Sequence, residues 1–126
     1  MNGDRLVVDS NIAIYLFKGN PTIIEILQNK IIYLSIITEI ELFAFKKISE
    51  SEELRIKKFI SDCFVIGINE EIKQRAIAIR KETSLKLPDC IIAATALYLQ
   101  ATLFTADKIF NNIPELDLMF YSDLKD

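Results

Sequence analysis

The chain has 126 residues, of which 51% are hydrophobic, and its 15 basic and 18 acidic residues leave a net charge of -3. That is ample material for one domain, residues 1–126, around one packed core, and the charge balance gives no sign of bulk electrostatic attraction to nucleic acid. No histidine is present, which excludes His-based triads, His general bases and His metal ligands and leaves carboxylates, hydroxyls, lysine, tyrosine and cysteine for any chemistry.

No apolar run reaches the roughly 18 residues that a membrane helix needs. The opening MNGDRL lacks the basic, apolar and small segments of a signal peptide. The expectation is a cytoplasmic protein without membrane association. Cys63 and Cys90 stand in apolar company without C-x-x-C spacing, so reduced core thiols are expected rather than a disulfide or a zinc site.

RLVVD (residues 5–9) reads as a short buried strand, and SNIAIYLFKG after it as a helix ended by Gly19. Pro21 opens a second helix, PTIIEILQNK, from a favoured first-turn position. IIYLS (31–35) is the next strand, followed by two helices, TEIELFAFKKI and SEELRIKKFISD. CFVIGI (63–68) is a third strand. The helices NEEIKQRAIAIRKETS and LPDCIIAATALYLQ come next, and then the strands ATLFT (101–105) and LDLMFY (116–121). Strands alternating with helices of ten or more residues predict a three-layer α/β sandwich, with a mainly parallel sheet of about five strands and helices on both faces.

In such sheets ligands collect beyond the carboxyl ends of the strands, and four acids fall there. Asp9 closes the first strand, Glu41 lies in the helix after the second, Asp89 opens the helix before the fourth, and Asp107 follows the fourth. Taken singly, Asp9, Asp89 and Asp107 each read as a helix cap or first-turn acid. Glu41 shares a helical stripe with Ile37, Ala44, Phe45 and Ile48, so a cationic neighbour is expected for it, since an unpaired buried carboxylate is costly. Four acids in one crevice repel. Two carboxylates about 4 Å apart cost about 4 kcal/mol at an effective dielectric near 20. A hard divalent cation, Mg²⁺ or Mn²⁺, resolves that conflict with oxygen ligands and suits phosphodiester hydrolysis.

VVDSNIAIYL, LSIITEIEL, LPDCIIAATAL and LFTADKIF, in this order and spacing, resemble a PIN domain and in particular the VapC-type toxin ribonucleases of bacterial toxin-antitoxin systems. The resemblance covers nearly the whole chain. It implies that Asp9, Glu41, Asp89 and Asp107 hold Mg²⁺ or Mn²⁺, that Asn11 and Thr105 orient the acids or contact substrate, and that Ser10 stands where the family often has threonine. It further implies cleavage of RNA, such as a tRNA or an rRNA loop, a homodimer, and silencing by a cognate antitoxin. Two departures stand out: DKIF has Ile109 where members often carry a second acid, and KETSLKLPD lacks a glycine. The first implies one firmly bound cation and a second that is weak or arrives with RNA. The expected phenotype of Asn at position 9 or 89 is lost cleavage, with higher thermal stability in metal-free buffer.

Two other readings share parts of the pattern. A phosphoaspartate phosphatase or receiver has the alternating architecture, but the first wants an aspartate where Asn11 stands and the second wants one after the third strand, where this chain reads VIGIN. A catalytically inactive PIN-fold binding module would bind without cutting. Local basic candidates are Lys46, Lys47, Arg55, Lys57, Lys58, Arg80, Lys81 and Lys86, with a solvated helix face as the ordinary reading. Tyr15, Phe17, Phe43 and Phe45 read as core. If exposed, they would make a groove for an amphipathic antitoxin helix.

Overall fold

The computed structural model describes residues 4–122. Residues 1–3 and 123–126, which include the start of MNGDRL and both ends of the expected 1–126 domain, lie outside the described residues. Strand β1 (Arg5–Val8) leads through Asp9 into α1 (Ser10–Phe17), and α2 (Pro21–Leu27) precedes β2 (Ile31–Ser35). Then come α3 (Ile36–Phe43), α4 (Glu50–Ser61), β3 (Phe64–Ile66), α5 (Glu70–Glu82), α6 (Leu87–Leu99) and β4 (Thr102–Thr105). A 3-10 helix (Lys108–Asn112) and β5 (Leu118–Phe120) close the described chain.

The five strands form one sheet in the order β3-β2-β1-β4-β5, and all four pairings are parallel. β1 is central. Leu6 and Val8 face one layer of helices and Val7 the other, all fully buried. Side chains alternate along a strand, so a stretch with no polar position belongs in a sheet covered on both sides. On one face Val7 and Leu103 pack with Ile72 and Ile79 of α5 and Ile92 and Ala96 of α6. On the other, Leu6, Val8, Leu34 and Phe104 pack with Ile12, Ile23, Leu42 and Ile56 from α1 to α4. Burial of a side chain of this size stabilises the fold by about 1.5–3 kcal/mol. The expected three-layer sandwich is therefore the observed fold.

Polar caps set most helix starts. Side chains of Asn20, Ser35, Ser49 and Asn69 accept amide hydrogens at the N-termini of α2, α3, α4 and α5. Gly19 follows α1 with φ of +80°, a conformation that lacks a penalty only for glycine. α3 departs from expectation. It starts at Ile36 with no loop after β2 and stops at Phe43, so Ala44 to Ile48 are not helical. The stripe drawn from Glu41 through Ala44, Phe45 and Ile48 is thereby broken. Lys47 adopts φ of +63°, which ends any helical run at that point. Both cysteines are free; burial pushes the Cys63 thiol up to about 12, and Cys90 is buried.

Candidate active site

The sheet changes direction at β1: β2 and β3 lie on one side of it, β4 and β5 on the other. Connections leave the carboxyl ends of β1 and β4 in opposite directions there, which opens a crevice between them. Asp9 and Thr105 stand at its two lips. The Asp9 amide donates to the Phe104 carbonyl at 3.0 Å, continuing the β1–β4 ladder one residue past the strand. From that position the Asp9 side chain, 5% exposed, is held by three donors. The Ser10 amide reaches Oδ1 at 2.8 Å, and the Thr105 hydroxyl and Asn11 Nδ2 reach Oδ2 at 2.7 and 3.3 Å.

Thr105 and Asn11 each make a second bond that ties the lips together. The Thr105 hydroxyl accepts the Asp107 amide at 3.0 Å, and Asn11 Oδ1 accepts the Ala106 amide at 3.1 Å. Asp107 caps the 3-10 helix by accepting from the Ile109 amide at 3.0 Å. Asp89 lies in the first turn of α6 but does not cap it, because the N-cap position is Lys86 and carries no side-chain cap bond. Its carboxylate is thus free for the crevice. Glu41 comes from the last turn of α3, with the Ser10 hydroxyl beside it.

The four acids feel one another. Burial, above all, raises the Asp9 carboxyl, and the Thr105 and Ser10 hydrogen bonds oppose it while the Asp107 charge adds to it. Burial likewise raises Glu41, reinforced by Asp9 and Asp89 and opposed by Ser10. Asp89 is raised by burial and by the charges of Asp9 and Asp107, with Lys86 pulling weakly the other way. Among the described residues none of the four forms an ion pair with lysine or arginine. The side-chain cation expected beside Glu41 is absent among the described residues; its neighbours are Ser10 and two further acids. Glu41 Oε1 is buried and has no hydrogen-bond partner.

An all-oxygen donor set, unbalanced negative charge and an orphaned buried carboxylate oxygen fit a hard divalent cation. Among the described residues no group of three acids is gathered tightly enough to hold an ion directly. Mg²⁺ keeps several waters and needs only one or two direct carboxylates. Every site residue read from the sequence, Asp9, Ser10, Asn11, Glu41, Asp89, Thr105 and Asp107, lies at or beside this crevice.

The aromatic residues divide. Tyr15, Phe17 and Phe43 pack against the core, whereas Phe45 is 50% exposed and belongs to neither core cluster. Lys18, which the sequence reading did not single out, joins Lys46 and Lys47 around a groove lined also by Phe17 and Phe45. Its place just past the end of α1 was the available signal.

The PIN domain sequence family matches residues 6–116. Among curated proteins, no sequence matches the chain. Solved structures do. A chain of a toxin-antitoxin complex from Klebsiella pneumoniae is 34% identical with a TM-score of 0.77, the match covering 90% of this chain and 95% of that one. A chain of VapBC-1 from nontypeable Haemophilus influenzae is 29% identical with a TM-score of 0.75, covering 92% and 97%. A chain of VapBC2 from Rickettsia felis, bound to a promoter DNA fragment, shares the fold at 23% identity and a TM-score of 0.81, covering 94% and 99%. With a parallel sheet whose strand order turns at β1 and a family match over most of its length, the chain belongs to the PIN domain family and is of the VapC type.

Proposed function

We propose that the chain is a metal-dependent endoribonuclease, the toxin of a toxin-antitoxin pair, acting on RNA such as a tRNA or an rRNA loop in the cytoplasm. The observation that carries this reading is the convergence of Asp9, Glu41, Asp89 and Asp107 on one crevice with no lysine or arginine paired to them among the described residues. Those four carboxylates would hold Mg²⁺ or Mn²⁺. When bound, the cation supplies a water of lowered pKa and stabilises charge developing on the phosphoryl group. Thr105 and Asn11 keep Asp9 aimed into the crevice through their bonds to Oδ2. Ser10 steadies Asp9 through its amide and stands beside Glu41.

A cognate antitoxin as partner is supported by the relatives, which were solved in toxin-antitoxin complexes. Association with a second copy is supported by large apolar side chains left exposed on α3 and around β3, namely Ile40, Phe64 and Ile68. No described helix is long and apolar enough to cross a membrane. Incubating the purified chain with RNA in Mg²⁺ or Mn²⁺, and again in EDTA, tests the central claim. Cleavage that depends on the cation and disappears in Asp9→Asn is the expected result. RNA bound but never cut, in any divalent cation, would instead establish an inactive binding module.

A further inference from the structure

A groove of about 560 Å³ opens between α1, α4 and the loop after α3, within the roughly 300–1,000 Å³ of ligand-binding clefts. Its lining is mostly apolar, with Phe17 and Phe45 beside an aliphatic floor. Leu42 and Ile56 are themselves buried, and Ile14 and Ile48 pack on the core. What stands free at the rim is the half-exposed Phe45 ring and the ammonium groups of Lys18, Lys46 and Lys47.

The charges at this rim are not balanced. Glu52, the single acid in the lining, accepts the Ser49 amide at 3.0 Å and so serves the cap of α4. Arg55 is engaged as well, donating from Nη1 to the Phe17 carbonyl at 3.2 Å. Lys57 and Lys58 on α4 are paired with Glu53 and Asp62. Lys18, Lys46 and Lys47 have no ion-pair partner among the described residues. Lys47 also holds φ of +63°, a backbone conformation that favours glycine, so an ammonium stands where turn chemistry alone would drop the side chain. In a chain of net charge -3 this local excess of cations is set apart from the bulk balance.

The groove shares its helices with the acid crevice. α1 carries Ser10 at its start and Phe17 at its end, about 12 Å of helix at 1.5 Å per residue. Leu42 in the floor adjoins Glu41, and Phe45 follows four residues after it. Unpaired cations around an exposed ring are the chemistry of single-stranded nucleic acid binding, where phosphates meet lysines and a base stacks on the aromatic face. We infer that this groove, defined by the unpaired Lys18, Lys46 and Lys47 around the exposed Phe45, holds single-stranded RNA a few nucleotides from the scissile phosphate, with one base stacked on Phe45. The inference rests on the nuclease reading for its substrate.

The test uses the full chain, a fluorescent single-stranded RNA dodecamer and bis-p-nitrophenyl phosphate, a diester too small to reach the groove. Turnover of the small diester by the wild-type chain reads the nuclease claim alone. RNA affinity, measured by anisotropy with Ca²⁺ in place of the catalytic cation, reads the groove. Phe45→Ala and Phe45→Leu should each weaken RNA about tenfold, within the range for loss of one base stack, while Phe45→Tyr retains affinity. Lys46→Ala combined with Lys47→Ala should lower the log–log salt slope by about 1.4, two single-strand phosphate contacts. Small-diester turnover should stay unchanged in all of these variants. Unaltered RNA affinity and salt slope across the set overturns the inference. Wild-type affinity in Phe45→Leu also overturns it, since leucine offers no aromatic face and no base would then be stacked on position 45. If no variant or wild-type chain turns over the diester but the RNA affinities shift as stated, the groove stands and the nuclease reading falls.

Discussion

Thr105 is fully buried and its hydroxyl serves both lips of the crevice, donating to Asp9 and accepting from the Asp107 amide. Thr105→Val preserves shape and removes both bonds. Leaving buried groups without partners costs about 1–3 kcal/mol, so a lower melting temperature together with lost RNA cleavage is expected, and Thr105→Ser should restore both. A Val variant that cuts RNA at the wild-type rate would remove Thr105 from the positioning role. Glu41 behaves differently. Its Oε1 has no partner and its carboxyl is raised by burial and neighbouring acids, so Glu41→Gln should melt higher than wild type in metal-free buffer. The same gain is not expected for Asp9→Asn. Asp9 accepts three hydrogen bonds spread over both oxygens, and an amide, with one acceptor oxygen, cannot keep all three. This narrows the expectation drawn from sequence, in which charge relief alone set the sign.

At the scale of elements, cap geometry decides where side chains end up. α3 begins immediately after β2 because Ser35, the last residue of the strand, accepts the Ile37 amide at 3.1 Å. That early start brings Glu41 into the final turn beside Ser10, and the early stop at Phe43 releases Phe45, Lys46 and Lys47 to the groove. Across the groove, α4 is fixed by a capping box in which Ser49 and Glu52 exchange bonds at 3.0 and 3.1 Å. Ser49→Ala should destabilise the fold by about 1 kcal/mol, a drop of about 4 °C in the melting temperature for a domain of this size. It removes the hydroxyl that accepts the Glu52 amide and leaves the backbone amide of residue 49 in place for the Glu52 carboxylate. Denaturant unfolding would measure the first effect, and a change below about 0.3 kcal/mol would show that the box is frayed in solution.

For the whole molecule, the acids make stability depend on pH in a definite direction. Asp9, Glu41 and Asp89 are all raised above their ordinary values of 3.8, 4.5 and 3.8. The folded chain therefore holds protons more tightly than the unfolded chain. Their stabilising contribution is complete below those ordinary values and is lost as pH rises through the raised ones. The melting-temperature advantage of Glu41→Gln over wild type should consequently grow from acid to neutral pH in metal-free buffer. Adding Mn²⁺ at neutral pH should shrink or reverse it, since a ligand of the folded state stabilises by mass action. An advantage that neither varies with pH nor responds to Mn²⁺ would argue against a cation-binding role for Glu41.

Residue periodicity by itself determined the alternation of elements, because buried strands such as RLVV and IIYLS and amphipathic helices such as α4 and α5 carry their patterns locally, although α1, α2 and α3 span only seven or eight residues. The acids at strand ends and helix starts were legible for the same reason, through their distance along the chain from each apolar run. The exact span of α3 was not: FAFKKI continues an acceptable helical pattern, yet α3 stops at Phe43 and the backbone turns left-handed at Lys47. Nor could sequence separate Phe45 from Tyr15, Phe17 and Phe43, since exposure depends on which neighbours arrive from elsewhere in the chain. The bonds from Thr105 to Asp9, spanning 96 residues, and from Ala106 to Asn11, spanning 95, likewise exist only because parallel pairing sets β4 beside β1. Local patterns name the elements and the acids; long-range strand order decides which acids meet, and with it whether a carboxylate caps a helix, faces a like charge, or does both.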